Sequence, residues 1–444
     1  MKGGSFMHLR KTLFSISVLA LFANTSYALS LSEVQSLSSN NNYQIKQYES
    51  LYESSKESKQ SAFKNFLPNL STNYSYTRLD QPPYQIANGN KLIMGSVNNY
   101  QWNVTITQPL FTGFYLLNKY KYAKYNESFS QANLEVIRNQ IITNAKNAYF
   151  NVLYNQKILE TRQLAVAQYE SHLKDAESFY KQGLIPKVDL LKSQVAYSNA
   201  KQELKQAYAN LTNAIAQLNQ LLNEPIDKTH TFDQVADVVN LKTPLDSLYA
   251  QTDNRPDIKA LSFAINKAKA QVGMVESSYY PQVQLKANYN RNGQNLDMNN
   301  NPYADNSIYS LNIIANWDIF DWGKTKNDVQ AAKLQQIALE NELANLKTQS
   351  KTQILNAYDQ AEVAYHNISV SQTALKEANE NYKLTNERYL NQLATSTDIL
   401  DARTLLTQSE SNYYGAIYGY CIALENLANA VGKSDEFDYL IRFK

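Results

Sequence analysis

Residues 113–182 read GFYLLNKYKYAKYNESFSQANLEVIRNQIITNAKNAYFNVLYNQKILETRQLAVAQYESHLKDAESFYKQ. The stretch contains no proline, is rich in Ala, Leu, Lys, Gln and Asn, and returns its apolar residues at helical spacing. A helix rises about 1.5 Å per residue, so this stretch predicts a rod of roughly 100 Å. Helices of globular proteins are ordinarily far shorter. A second stretch of the same kind runs from Gly323 to about Leu390. The rest of the chain reads as what enters, leaves and folds back along these two rods.

Ahead of each rod the periodicity changes from 3.6 to 2. Pro68 closes a helix predicted over residues 31–66, with Ser32 as its N-cap. Leu70, Thr72, Tyr74 and Tyr76 then alternate with Asn69, Ser71, Asn73 and Ser75, giving a strand over 68–78. Beyond a turn-rich loop, Tyr100, Trp102, Val104 and Ile106 alternate with Gln101, Asn103, Thr105 and Thr107. This second strand covers 100–108 and is closed by Pro109. Strands over 281–290 and 308–317, joined by an Asn-rich loop, precede the second rod in the same way.

Strands of about ten residues, apolar on one side, polar on the other and aromatic near their ends, match those of an outer-membrane barrel. A half-buried sheet in a water-soluble protein shows the same alternation. The long loops, the aromatic ends and an N-terminal targeting segment favour the barrel. On that reading Tyr74, Trp102, Leu285 and Ile313 face lipid, while Asn73, Asn103, Gln284 and Asn312 face the bore.

The two halves keep one offset: Phe111 to Phe320 is 320 − 111 = 209, and Asp189 to Asp398 is 398 − 189 = 209. The chain therefore reads as a tandem duplication, with a period too long for a solenoid. The first unit is 29–223, with its long helix at 113–182 and a return helix at 187–223. The second is 257–432, with a long helix at 323–390 and a return helix at 397–431. Residues 224–256 connect them, and the tail 433–444 is expected beside that connector. Leu204, Leu211 and Leu218 in one return helix, and Tyr413, Ile417, Tyr420, Leu424 and Leu427 in the other, follow heptad steps. Each rod and its return thus predict an antiparallel coiled coil.

Residues 1–28 read as a signal peptide. His8, Arg10 and Lys11 are basic, Leu13 to Phe22 form a short apolar run, and Ser26-Tyr27-Ala28 is a small-x-small cleavage site. No later apolar run is long enough for a transmembrane helix, so any crossing must be a barrel. The formal charge is +2, and removing Lys2, Arg10 and Lys11 leaves +2 − 3 = −1. Such a chain offers no electrostatic case for nucleic acid. Cys421 is the only cysteine, which excludes an intrachain disulfide and a cysteine-based zinc site and suits a small packing residue. His172, His230 and His366 lack metal-ligand spacing and read as solvated. There is no phosphate-binding glycine loop, nucleophile elbow or catalytic-cysteine context. No enzyme's set of nucleophile, base and stabilising donors can be assembled, and no cofactor is called for.

Several segments resemble the TolC-like outer-membrane efflux proteins across essentially the whole mature chain. They are the strand exits Gln108-Pro109-Leu110-Phe111-Thr112-Gly113 and Asp318-Ile319-Phe320-Asp321-Trp322-Gly323, the run Arg255-Pro256-Asp257-Ile258, and the helix tips. The tips are Gly183-Leu184 with Asp189-Leu190, and Arg388-Tyr389 with Thr397-Asp398-Ile399-Leu400-Asp401-Ala402. The second strand exit lacks the Gln-Pro pair of the first.

The resemblance implies a mainly α fold carrying a membrane β-barrel, built as a homotrimer. Four strands cannot close a barrel, whereas three copies would close one of twelve strands. It further implies a periplasmic α-helical tunnel, outer-membrane lipid around the barrel, and docking to a periplasmic adaptor that leads to an inner-membrane pump. The implied function is an exit duct for drugs, toxic compounds or secreted protein. A free-standing porin and a structural coiled-coil protein of the envelope are the alternatives.

Carried over residue by residue, Gly183, Leu184, Leu393 and Ala394 become the adaptor-docking tips. Asp398 and Asp401 line the closed periplasmic gate, and Asp189 and Tyr389 latch it. Ala394 stands where the family has an arginine, and Arg388 lies elsewhere in the turn. Three copies would crowd six carboxylates, so some would titrate above the usual range and offer hard oxygen ligands to a multivalent cation. Thr395-Ser396-Thr397-Asp398 equally fits a helix-capping box.

Overall fold

The structure, a computed structural model, describes residues 28–444. Apart from Ala28, the predicted signal peptide lies outside the described residues. The chain starts with two helices, α1 (Leu31–Asn41) and α2 (Tyr43–Lys64), where one was expected over 31–66. The break is at Asn42, whose backbone is extended at φ −63° and ψ 127°. Its Oδ1 accepts from the Gln44 N–H at 2.9 Å, and its Nδ2 donates to the Leu221 carbonyl at 3.1 Å. A short amide that satisfies backbone groups outside the helix ladder favours such a break. The N-cap is Ser30 rather than Ser32. Its Oγ accepts from the Glu33 N–H at 3.3 Å, and the Glu33 carboxylate accepts from the Ser30 N–H at 2.9 Å. The second helix stops at Lys64, before Pro68.

Strand β1 (Asn69–Arg78) follows, then a small hairpin β2 (Tyr84–Ala87) and β3 (Asn90–Ile93) inside the predicted loop, then β4 (Asn98–Thr112). Pro109 does not close β4. The strand passes it through a register shift between Pro109 and Phe111, which accommodates a residue with no N–H to donate. Gln108 Nε2 bridges this corner to the Phe66 and Pro109 carbonyls, at 2.9 and 2.8 Å.

The rods are α3 (Tyr115–Lys181) and, after α4 (Lys187–Leu222), β5 (Val235–Val238), α5 (Leu245–Tyr249), α6 (Pro256–Glu276), β6 (Gln282–Gly293) and β7 (Ser307–Asn316), the matching α7 (Lys324–Leu390). Helix α8 (Ser396–Val431) and strand β8 (Ile441–Phe443) complete the chain. Both rods have 67 residues and both return helices 36. Left-handed backbone recurs at one spacing: Gly113 and Trp322 (322 − 113 = 209), Gly183 and Gln392 (392 − 183 = 209), and Asn223 and Gly432 (432 − 223 = 209). The reversals at the helix ends are thus kept even where glycine is not. Gly113 has a second constraint, because a Cβ there would meet the Ser277 carbonyl oxygen at 2.5 Å.

The four long strands form one antiparallel sheet in the order β1-β4-β6-β7. Below it, α3 packs between α4 and α8, α7 packs on the other side of α8, and α6 bridges α3 and α7. The α3–α4 seam is built from small residues. Ser193, Ala200, Ala207 and Ala214 recur every seven and are buried, while Leu204 and Leu211 flank them half-buried. At the waist, α1, α5, β5 and β8 cover one side of α3, α7 and α8 around Tyr149, Leu153, Leu218, Leu248, Leu424 and Phe437. Each fully buried aliphatic or aromatic side chain there contributes about 1.5–3 kcal/mol. The tail is held by β8 pairing with β5 and by Lys146, whose buried ammonium donates to both Asp438 carboxylate oxygens at 2.7 Å. Cys421 is a buried free thiol in this core. No helix among the described residues is long and apolar enough to cross a membrane.

Candidate functional site

Residues directly opposite one another in antiparallel strands share a face. Tyr74 lies opposite Trp102, and Leu285 opposite Ile313. The β4–β6 register sets Val104 opposite Tyr289 and Gln108 opposite Leu285, so all four of these expected lipid-facing residues lie on one face. That face also holds Tyr309 and Leu311, and it is largely open in the single chain. Asn73 lies opposite Asn103, and Gln284 and Asn312 join them on the other face. Polar side chains pair across that face, as Thr105 Oγ1 does with Asn288 Oδ1 at 3.0 Å.

At the far end of the rods both turns are built alike. Gly183 N–H donates to the Tyr180 carbonyl at 2.9 Å and Leu184 N–H to Phe179 at 2.9 Å. Gln392 N–H donates to Tyr389 at 2.9 Å and Leu393 N–H to Arg388 at 2.7 Å. This is the Schellman arrangement, which requires a left-handed residue just past the helix. Gly183 takes it at φ 73°, and Gln392 is forced into it at φ 60°. In such turns the next residue commonly packs back on the helix. Here Leu184 stays 45% exposed and Leu393 68% exposed, while Ala394 is half-buried.

Asp398 closes a capping box at the start of α8. Its carboxylate accepts from Thr395 N–H and Oγ1–H, both at 2.8 Å, and its own N–H donates to Thr395 Oγ1 at 3.2 Å. These donors hold the Asp398 carboxyl below the usual carboxylate range. The upward shift expected from crowding is therefore not a property of Asp398 within one chain, where no second copy supplies the repulsion. Asp401 is exposed on the same face of α8. Both aspartates line a groove of about 390 Å3 between α7 and α8, with Asn381, Thr385, Arg388 and Leu405. Arg388 is tied to its own turn, Nη2 donating to the Leu393 carbonyl at 3.2 Å.

Asp189 sits half-buried in the first turn of α4, 3.7 Å from Lys192. Tyr389 points elsewhere. It is 2% exposed, packs on His172 and Phe179 of α3, and accepts a hydrogen bond from Ser396 Oγ at 3.3 Å. Burial raises the pKa of its phenol. The groove thus gathers Asp398, Asp401 and Arg388, while Tyr389 belongs to the interior of the chain.

His172 and His230 are not solvated, contrary to the sequence reading. His172 is 6% exposed, its Nε2 lies 3.1 Å from Ser193 Oγ, and burial pushes its pKa down to about 4. His230 sits between Asn219 Oδ1 at 2.9 Å and Glu224 at 3.0 Å, with its pKa also lowered by burial. His172 is hidden by helices that arrive from distant segments, whereas His230 is held by its near neighbours Asn219 and Glu224. Amide side chains also recur at helical spacing on α3 and α8, a pattern legible in the sequence.

The match to known proteins follows the same architecture. The family model described as outer membrane efflux protein matches residues 34–224 and 248–433. Toxin and drug export protein A of Aggregatibacter actinomycetemcomitans is 23% identical over 335 residues, 72% of each chain. Outer membrane protein TolC of Vibrio cholerae is 21% identical over 448 residues, 96% of each chain. Among solved structures, the Campylobacter jejuni CmeC outer membrane channel superposes with a TM-score of 0.81 at 17% identity. That match covers 96% of this chain and 94% of CmeC. CusC gives a TM-score of 0.77 at 15% identity, over 93% of this chain and 96% of its own. Two matched rod-bearing halves, an open sheet above them and a shared fold over nearly the full length lead to one conclusion: the chain belongs to the outer membrane efflux protein family.

Proposed function

We propose that three copies of this chain close into an outer-membrane exit duct. It would pass drugs, toxic compounds or secreted protein handed on by a periplasmic adaptor and an inner-membrane pump. The observation that carries this reading is that the protomer has two open lateral edges of matching kind. In the sheet, β1 and β7 each lack a neighbour on one side among the described residues. In the helical layer, α4 and α7 are the flanks, and each exposes apolar residues at coiled-coil spacing. On α4 these are Val188, Leu191 and Val195, continuing from Leu184. On α7 they are Val363, Val370 and Leu384. Unpaired strand edges and apolar stripes on both flanks favour association, and head-to-tail contacts that close give a ring. Three copies supply twelve strands, enough to enclose a bore.

The membrane assignment is supported by the one-sided apolar face of the sheet. It is also supported by the strand exit, where Phe320 and Trp322 meet edge to face with ring centroids 4.9 Å apart and Trp322 is 89% exposed. Tyr74, Trp102, Leu285 and Ile313 then meet lipid. The shared offset of 209 residues at the left-handed turns supports a tandem duplication. The tips at Gly183, Leu184 and Leu393, exposed, and Ala394, half-buried, suit adaptor docking at the periplasmic end. Asp398 and Asp401, with Arg388 in the same groove, suit a periplasmic gate, and Asp189 sits beside Lys192 in the first turn of α4. Tyr389 serves that gate from inside by fixing the hairpin.

The mass of the detergent-extracted, cross-linked protein and its conductance in planar bilayers test the assembly. A conducting trimer whose deletion sensitises cells to drugs is the expected result. A monomer, or a trimer that does not conduct, would overturn the duct. Conductance with unchanged drug sensitivity would indicate a free-standing porin.

A further inference from the structure

The helical wall has two different sides at the waist. One is covered by α1, α5, β5 and β8. The other is lined with amides. On α8, Gln408, Asn412, Asn426 and Asn429 fall on the face that begins with Asp398 and Asp401, in steps of three and four around Gly415 and Gly419. On α3, Gln140, Asn144, Asn147, Asn151 and Asn155 form a similar stripe. The stripes interlock: Gln140 Nε2 donates to Asn144 at 2.9 Å, and Asn147 Nδ2 donates across to Asn426 at 3.1 Å.

At the upper end this face opens into a pocket of about 470 Å3 between α3, α7 and α8. Its one ion pair is closed on itself. Arg255 grips Asp257 through Nε at 3.0 Å and Nη2 at 2.8 Å, and its Nη1 donates to the Ala430 carbonyl at 2.6 Å. What remains for a ligand is uncharged: chiefly the amides of Asn356, Gln360 and Asn429, for which the described residues provide no hydrogen-bond partner. In a closed ring the waist core must lie outside, since it would fill the bore, and the amide face then lines the bore.

We propose that this waist pocket binds uncharged polyhydroxylated solutes with the hydroxyl pattern of an oligosaccharide. The proposal rests on the duct reading for its access route. An amide presents both a donor and an acceptor, and so does each hydroxyl, so the two pair in either sense. A charged ligand would find no free counter-charge there, and its desolvation would go unrewarded. Among the described residues no aromatic side chain lines the pocket for stacking, so binding stays weak enough for transit.

The experiment uses the purified, processed protein with maltotriose as probe, in planar bilayers and by saturation-transfer NMR in detergent. The expected result is a saturable, reversible current block, matched by NMR transfer. The variant Asn356→Leu/Gln360→Leu/Asn429→Leu should weaken both about tenfold with its size on gel filtration unchanged. Equal binding by parent and variant, or no binding to a conducting channel, would overturn the site. Stronger binding of N-acetyl-trialanine amide than of maltotriose would overturn the ligand class. NMR transfer that the variant loses, in a protein that does not conduct, would uphold the pocket and refute the duct.

Discussion

Tyr389 and His172 pack against each other inside the tip of one chain, with ring centroids 4.8 Å apart and planes tilted by 56°. One comes from the last turn of α7 and the other from α3, so the contact joins the two hairpins where they are otherwise thin. Ser193 adds α4 to the same junction through His172 Nε2, at 3.1 Å. Three of the four long helices are fixed by one neutral imidazole.

That imidazole should make the tip sensitive to acid. Burial lowers the pKa of His172 from 6.5 to about 4, so the unfolded chain binds more protons than the folded one between these values. The stabilisation is fully present above pH 6.5 and is lost as pH falls towards 4, by about 3 kcal/mol at most. Hydrogen-exchange protection factors around residues 172–193, which divide out the intrinsic pH dependence of exchange, should therefore be lower at pH 5 than at pH 7. His172→Gln should flatten this dependence. An equal fall in protection in the variant would assign the effect to another group.

The two aspartates should separate into different roles. Thr395→Ala removes the hydroxyl that completes the capping box and should destabilise the start of α8 by about 1 kcal/mol. Asp401→Ala touches no cap and should leave the melting temperature unchanged. In bilayers, Asp398→Ala/Asp401→Ala should abolish cation preference and periplasmic block by a trivalent cation while the trimer persists. A double variant blocked as tightly as the parent would place the ring elsewhere.

At the tips, Gly183→Arg and Leu184→Glu should spare assembly and abolish efflux. Gly183 has open space around it, so the substitution costs only its left-handed backbone, about 1 kcal/mol. Gln392 bears that strain already at φ 60°, and Gln392→Gly should stabilise the second tip by up to about 1 kcal/mol. Normal drug resistance in both first-tip variants would remove the docking role.

The α3–α4 seam should tolerate no added volume. Ala207→Leu forces three extra heavy atoms into a buried small-residue seam and should cost about 1–3 kcal/mol. Leu204→Ala, at a half-buried flank, should cost less. Thermal denaturation of the two variants would show the order, and the reverse order would mean that the leucines form the seam.

The sequence by itself determined the parts of this protein that are local or periodic. A proline-free run from Gly113 to Gln182 with apolar residues at helical steps has few options besides a long helix. The strict alternation around Trp102 and Ile313 likewise fixes which residues share a strand face. The 209-residue offset is visible in the letters alone.

Only the tertiary structure decided what happens where distant segments meet. Asn42 breaks a helix because its amide finds the Leu221 carbonyl 179 residues away. Pro109 does not end β4, because β6 supplies a partner strand that continues beyond it. His172 is buried, and Tyr389 turns inward, because α3 and α7 arrive beside each other. Of the heptad leucines, Leu218 is fully buried while Leu204 and Leu211 only flank the seam, because the buried line of α4 runs through Ala200, Ala207 and Ala214. The waist pocket draws its amides from α3, α7 and α8. Periodicity reports which residues share one helix face, but whether a polar face is covered, wet or closed into a pocket depends on which other helix comes to lie against it.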